Sequence, residues 1–175
     1  AKKAITHHPN QPLSYLVLGV AQSSINKYEL ALKNLKSGIS LVIDDSLLLS
    51  DFEHHIGNAY YKLEEIENSF IYFEKAIKNN PKNPILLNNY SYYIAEQETD
   101  LDLAENLILK ALEYFPNNST FLDTYGWVLF KKEDFLKAEI YINKAINKAL
   151  EDNGPLLEHY GDVLFKLGKK EEAII

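Results

Sequence analysis

The stretch Asn117–Phe130, "NNSTFLDTYGWVLF", sets the chain's one tryptophan beside a glycine in the middle of a helical pattern. An interior helix glycine costs roughly 1 kcal/mol relative to alanine, so Gly126 calls for a packing reason. A repeat supplies one. Small residues recur as Gly19, Gly57, Ser91, Gly126 and Gly161, at spacings of 38, 34, 35 and 35. Ala31, Ser69, Ala104, Ala138 and Ala173 follow at 38, 35, 34 and 35, and Ala4, Gly38, Ala76, Ala111 and Ala145 at 34, 38, 35 and 34. Pro9, Ile43, Pro81, Pro116 and Leu150 close the units. Independent series that share one spacing identify a repeat protein.

Each unit reads as two helices. In the unit that starts at Pro84, Leu87, Tyr90 and Ile94 fall at helical spacing, and so do Leu101, Ala104, Ile108 and Ala111. Asn83 before Pro84 is a helix start, Asp100 a second cap, and "FPNN" a stop. The segments "SINK", "LEEI", "KKED" and "LGKK" are the turns inside the other pairs. The one long spacing is explained by four extra residues, Ser46 to Leu49, which add close to one turn to a helix.

Composition bounds the function. Hydrophobic residues make up 46% and charged residues 25%, with seven glycines and six prolines, as in a folded globular chain. The net charge is −7 and all 18 basic residues are lysine, which argues against a nucleic-acid partner. There is no cysteine, hence no thiol nucleophile or thiolate metal site. No apolar run reaches the length of a membrane span. The pairs His7-His8 and His54-His55 are adjacent in sequence, about 100° apart on a helix, and make no two-ligand face. No cofactor site and no catalytic constellation is expected.

The order Leu or Tyr, Gly, Tyr, Ala, aromatic, Ala, Pro at this period resembles the tetratricopeptide repeat (TPR) family. "HHIGNAYYKLEEIENSFIYFEKAIKNNPKN" (54–83), "YGWVLFKKEDFLKAEIYINKAI" (125–146) and "YGDVLFKLGKKEEAI" (160–174) carry the pattern. The departures are Ser91 for Gly, Ser69 for Ala, and Ile43 and Leu150 for Pro. The resemblance implies an all-α fold, a right-handed superhelical solenoid of antiparallel helix pairs. It divides the chain into the end of one repeat (1–11), full repeats 12–45, 46–83, 84–118 and 119–153, and a partial one (154–175). The whole is expected to be a single array and an internal piece of a longer protein. It begins at the end of one helix (1–8) and stops inside another at "KKEEAII", with no polar cap at either end, so that more chain or another chain covers them.

In that family the motif residues are core, and the concave face is lined mainly by first helices. The implied groove positions are Leu13, Leu16, Val20 and Ser23 in the first full repeat and Asp51, His54, Asn58 and Tyr61 in the second. Asn88, Tyr92 and Ala95 follow, then Asp123, Trp127, Phe130 and Lys131, and finally Glu158, Asp162, Phe165 and Lys166. Aromatic and amide side chains in an open groove suit an extended peptide or a helix of a partner protein. Tyr92, Trp127 and Phe130 are the expected contacts. His54, Asp123 and Glu158 stand where cations would be needed for an acidic C-terminal tail, which disfavours that ligand. Asp123, Glu158 and Asp162 form a solvated acidic rim, and "KKED" and "KKEE" are solvated turn chemistry.

The expectation is a non-enzymatic protein-binding scaffold within a bacterial multiprotein assembly, with no membrane insertion of this piece. The alternatives are an RNA-binding helical repeat or the accessory repeats of an enzyme whose catalytic domain lies elsewhere. An Asn-, Lys- and Ile-rich composition without arginine suggests an AT-rich bacterial genome. Residues 87–130 look like segments of envelope-associated TPR proteins, which points to the periplasm or cell envelope, with the cytoplasm as the alternative. Replacing Gly126 or Ala138 with leucine is predicted to overpack a helix crossing and cost about 1–3 kcal/mol. A variant that melts within a degree of the parent would show that neither position lies at a close crossing.

Overall fold

The computed structural model describes residues 9–151 and 153–174. Among them nine α-helices and one short 3-10 turn account for the regular structure, and no strand occurs. The helices are α1 (Pro12–Ser23), α2 (Tyr28–Ile39), α3 (Ser46–Lys62), α4 (Ile66–Asn79), α5 (Pro84–Gln97), α6 (Leu101–Tyr114), α7 (Ser119–Lys131), α8 (Phe135–Lys148) and α9 (Gly154–Lys166). The tenth segment expected from the sequence is the 3-10 turn Glu172–Ile174. The helix fragment at 1–8 and the pair His7-His8 lie outside the described residues.

The chain divides into two compact units at Pro81/Lys82. In the first, α1 packs antiparallel on α2 and α3 on α4, and α2 meets α3. Its core joins Ala31, Leu32 and Leu35 of α2 to Phe52, Ile56 and Ala59 of α3. In the second, α5 pairs with α6 and α7 with α8, while α7 also meets α5 and α6, and α9 packs on α8 and α7. Leu86, Ile94, Ile108, Val128 and Ile142 are fully buried there.

Gly19, Gly57 and Gly126 sit at the crossings within pairs, whereas a Cβ at Gly161 would meet only the Ala173 carbonyl at 3.6 Å. A Cβ at Gly19 would lie 2.5 Å from Leu35 Cγ, and one at Gly57 3.0 Å from the Phe73 ring. At Gly126 it would overlap Ile142 Cγ1 and stand 3.1 Å from the Ile142 backbone nitrogen. Ala31, Ala104 and Ala138 have no exposed surface. Where the sequence departs to serine, the hydroxyl bonds to backbone across the pair. Ser91 Oγ donates to the Ala104 carbonyl at 2.7 Å, and Ser69 Oγ to that of Gly57 at 2.9 Å. A buried hydroxyl without a partner would be costly, so these bonds are what make serine acceptable at the crossing.

The turns inside pairs share one conformation. Asn26, Glu64, Glu98, Glu133 and Gly168 all have positive φ, between 50° and 79°. The next residue donates its N–H back across the helix end, as Glu65 does to Tyr60 O at 3.0 Å and Asp134 to Leu129 O at 2.9 Å. That is a Schellman closure, in which the left-handed position favours glycine. Helix starts are capped by Asp45, Asn83, Asp100, Asn118, Asp134 and Asn153, whose side chains accept from backbone N–H groups. The extra turn falls where expected, and makes α3 17 residues long.

A non-glycine residue in the left-handed region is strained by roughly 1 kcal/mol. Glu64→Gly is therefore expected to raise stability by about 0.5–1 kcal/mol in urea denaturation. A loss of stability would show that the Glu64 side chain contributes more than its backbone strain removes.

Candidate partner-binding face

The second unit brings five of the expected groove positions, and three others, into one patch on and beside its first helices. Trp127, on α7, stacks in parallel between His159 of α9 (centroids 4.1 Å, 15°) and Phe130 (4.8 Å, 6°). Tyr92 of α5 approaches the same His159 ring at 6.2 Å. The indole Nε1 donates to Glu96 Oε1 at 2.6 Å, and His159 Nδ1 lies 2.9 Å from Asp123 Oδ1. Lys131 extends over the indole at 5.0 Å from the centroid and pairs with Glu98 at 2.8 Å.

The expectation of an open Trp127 is corrected: the residue is 7% exposed. A ring enclosed by two others, with its one polar atom bonded to a carboxylate, is a structural prop of the patch. Its open rings are Tyr92 and Phe130, both half-buried; Phe165 of α9 is exposed and lines a separate hollow with Glu158, Asp162 and Lys170. Asn88 and Ala95 are buried behind them, and Asn88 Oδ1 meets no donor. Asp123 does not belong to a solvated acidic rim, because it holds His159; Glu158 and Asp162 are exposed. Lys166 is exposed as well.

The turn segment "KKED" is also more than solvated surface. Lys132 reaches back to Asp102 and Glu105 of the preceding pair, both at 2.6 Å. Lys169, of the corresponding turn after α9, pairs with Glu139 at 2.5 Å. Each such exposed pair contributes little alone, but they recur between successive helix pairs.

In the first unit the expected positions behave differently. His54 is buried, with its ring 5.1 Å from that of His55 and 5.8 Å from that of Phe73. Asn58 and Tyr61 are half-buried, and Asn58 Oδ1 and Ser23 Oγ meet no partner. Asp51, Leu16 and Val20 are half-buried, while Leu13 is exposed. Burial raises the Asp51 carboxyl pKa and lowers that of the neighbouring His55.

His159 and Glu96 were missed by the groove assignment. Glu96 follows Tyr92 by four residues and so shares its stripe, a signal present in the sequence. His159 is one residue past Glu158, which turns it about 100° toward α7, away from the stripe. Only the packing of α9 on α7 brings it to Trp127.

The tetratricopeptide repeat family model matches residues 54–83. The uncharacterized protein ycf37 of Guillardia theta is 29% identical over 98 residues, which is 55% of this chain and 54% of that one. The chain thus spans about half the length of that relative. Among solved structures, a chain of the APC/C hetero-tetramer Cut9-Hcn1 aligns with a TM-score of 0.85 over 99% of this chain and 34% of its own, at 15% identity. YrrB, a TPR protein with an unusual peptide-binding site, aligns with a TM-score of 0.69 over 99% and 86%, at 20% identity. These likenesses establish the TPR-like, all-α fold of antiparallel helix pairs.

Burial pushes the His54 imidazole from its ordinary 6.5 down to about 3. The fold therefore holds it neutral while the unfolded chain takes up a proton. Its contribution to stability is complete above about pH 7 and is lost as pH falls through 6.5 toward 3, by about 2 kcal/mol at pH 5. Asp51 and Glu53, whose pKa values burial raises, act in the opposite sense, so a control is needed. Between pH 7 and 5 the parent should lose more stability than His54→Gln. Equal losses would show that His54 protonates freely in the fold.

Proposed function

We propose that this chain is a non-enzymatic interaction scaffold whose first helices hold a peptide or helix of a partner protein. The observation that carries the reading is the ring patch of α5, α7 and α9. Tyr92, Trp127 and Phe130 occupy positions that the repeat motif leaves free, yet they are ordered by His159, Asp123 and Glu96. A patch braced in this way offers rings to a ligand without first losing side-chain entropy.

The exposed Glu158 and Asp162 beside Phe165 favour a segment that carries apolar side chains and at least one lysine or arginine. Asn58 and Tyr61, both half-buried, are the corresponding positions of the first unit and are assigned the same role there, while the buried His54 is not. The fold supports this reading, since TPR proteins typically mediate protein–protein interactions, and YrrB has a peptide-binding site. Among the described residues no helix is long and apolar enough to cross a membrane. Membership of a bacterial multiprotein assembly at the cell envelope rests on the sequence resemblance and forms part of the proposal.

The test is affinity capture from the native organism with the parent chain and with Tyr92→Ala/Phe130→Ala, after nuclease treatment, followed by binding of the purified partner. The parent is expected to retain a protein that the folded variant loses by at least about tenfold, and that protein should change Trp127 emission. Equal retention by both chains would move binding away from this patch. Loss of all retention on nuclease treatment would favour an RNA-binding repeat.

A further inference from the structure

The second unit has another uncovered feature, on a different side of α7. Asp123, Trp127 and Phe130 lie on one face of that helix, whereas Leu122 and Tyr125 point to a cleft shared with α6 and α8. The cleft has a volume of about 500 Å³. Leu109, Leu112 and Pro116 supply its apolar surface together with Leu122, and Tyr125 and Tyr141 form a wall of rings 4.5 Å apart, edge to face. Leu109 is 40% exposed, so this surface is not closed by the chain itself. The volume falls in the range of sites that bury small ligands and anchor side chains, about 300–1,000 Å³.

Its charged groups are of one sign. Lys144 and Lys148 stand one helical turn apart on α8, with Asn147 between them, and the lining includes no carboxylate among the described residues. Lys131, Lys132, Lys137 and Lys169 all meet acids, whereas Lys144 lies against the Tyr141 ring at 4.5 Å. In a chain of net charge −7, two lysines that form no ion pair among the described residues stand beside an apolar cleft, and Glu151 shares only a neighbouring hollow with Lys148. The Asn147 amide donates to Asn143, which leaves its own carbonyl oxygen available to a backbone N–H.

We infer that this cleft is a second binding site, for a peptide segment that inserts an apolar side chain between Leu109 and Tyr141 and sets flanking carboxylates on Lys144 and Lys148. Two cations and an amide spaced along a helix match successive groups of a peptide. A fatty acid has a single carboxylate and would use one of them. The site differs from the ring patch in position, since the patch lies on the face of α7 toward α5 and α9, and in charge, since the acids of the patch are bonded within it.

The test uses the whole chain, labelled with 15N, and the probe acetyl-Asp-Glu-Leu-Phe-Glu-Asp-amide. Chemical-shift changes are expected to cluster at Leu109, Leu122 and Tyr141, with Trp127 emission unchanged. Lys144→Glu/Lys148→Glu should weaken binding by at least about tenfold, and Lys144→Arg/Lys148→Arg should retain it. The probes with lysine in place of the acids, or with Ser-Ser in place of Leu-Phe, should not bind. The inference is overturned if the acidic probe leaves the cleft unshifted. It is also overturned if the folded charge-reversed variant binds within about twofold of the parent, or if decanoate fills the cleft more tightly than the peptide, which would assign it to a lipid acid.

Discussion

Each helix pair depends on one close approach, where a hydrogen atom or a small side chain on one helix faces a large apolar side chain on the other. Gly19 meets Leu35, Gly57 meets Phe73 and Gly126 meets Ile142, each time sixteen residues further along the chain. The spacing is constant because each pair has the same path: out along one helix, through a left-handed turn, and back along the next. A larger side chain at these positions would force the partner side chain or the helix itself to shift, so the crossing limits how near the two axes lie. Once that distance is set, the buried small residue of the second helix and the left-handed turn follow in each pair.

Most of this was legible in the sequence because packing leaves periodic traces. The small-residue series located the crossings, and Asn83, Pro84 and Asp100 located helix starts that the structure caps as expected. The departures to Ser91 and Ser69 were visible, but their hydroxyl bonds across the pair were not. The groove was less legible. A stripe on one helix can be drawn from spacing alone, and it placed Tyr92, Trp127 and Phe130 together. Whether a residue on the stripe is open depends on the next helix pair, and His159 of α9 closes over Trp127. Spacing within a helix carries no information about that approach. The turn lysines have the same explanation, since Lys132 finds Asp102 and Glu105 thirty and twenty-seven residues away.

The middle helix of the second unit serves two surfaces at once. Leu122 and Tyr125 face α6 and α8, while Asp123, Trp127 and Phe130 face α5 and α9. Tyr125 shows how the two are kept apart. Its hydroxyl approaches Glu105 at 3.3 Å, and burial together with that carboxylate pushes its pKa up to about 12, so it stays neutral beside Lys132 and its acids. The charged contacts between pairs thus leave the apolar floor of the cleft intact.

The additional turn at the start of α3 shows what lengths this architecture can accept. Four residues advance a helix by about 400°, so the stripe of Phe52 and Ile56 returns to within about 40° of where it would have been. Both residues remain fully buried, and Ser50 in the following turn bonds to the Ala76 carbonyl of the paired helix at 2.9 Å. An insertion of two residues at the same place would rotate that stripe by about 200° and turn it toward water. Length variation inside these helices is therefore quantised in whole turns, and only the loops between helices are free to vary by single residues.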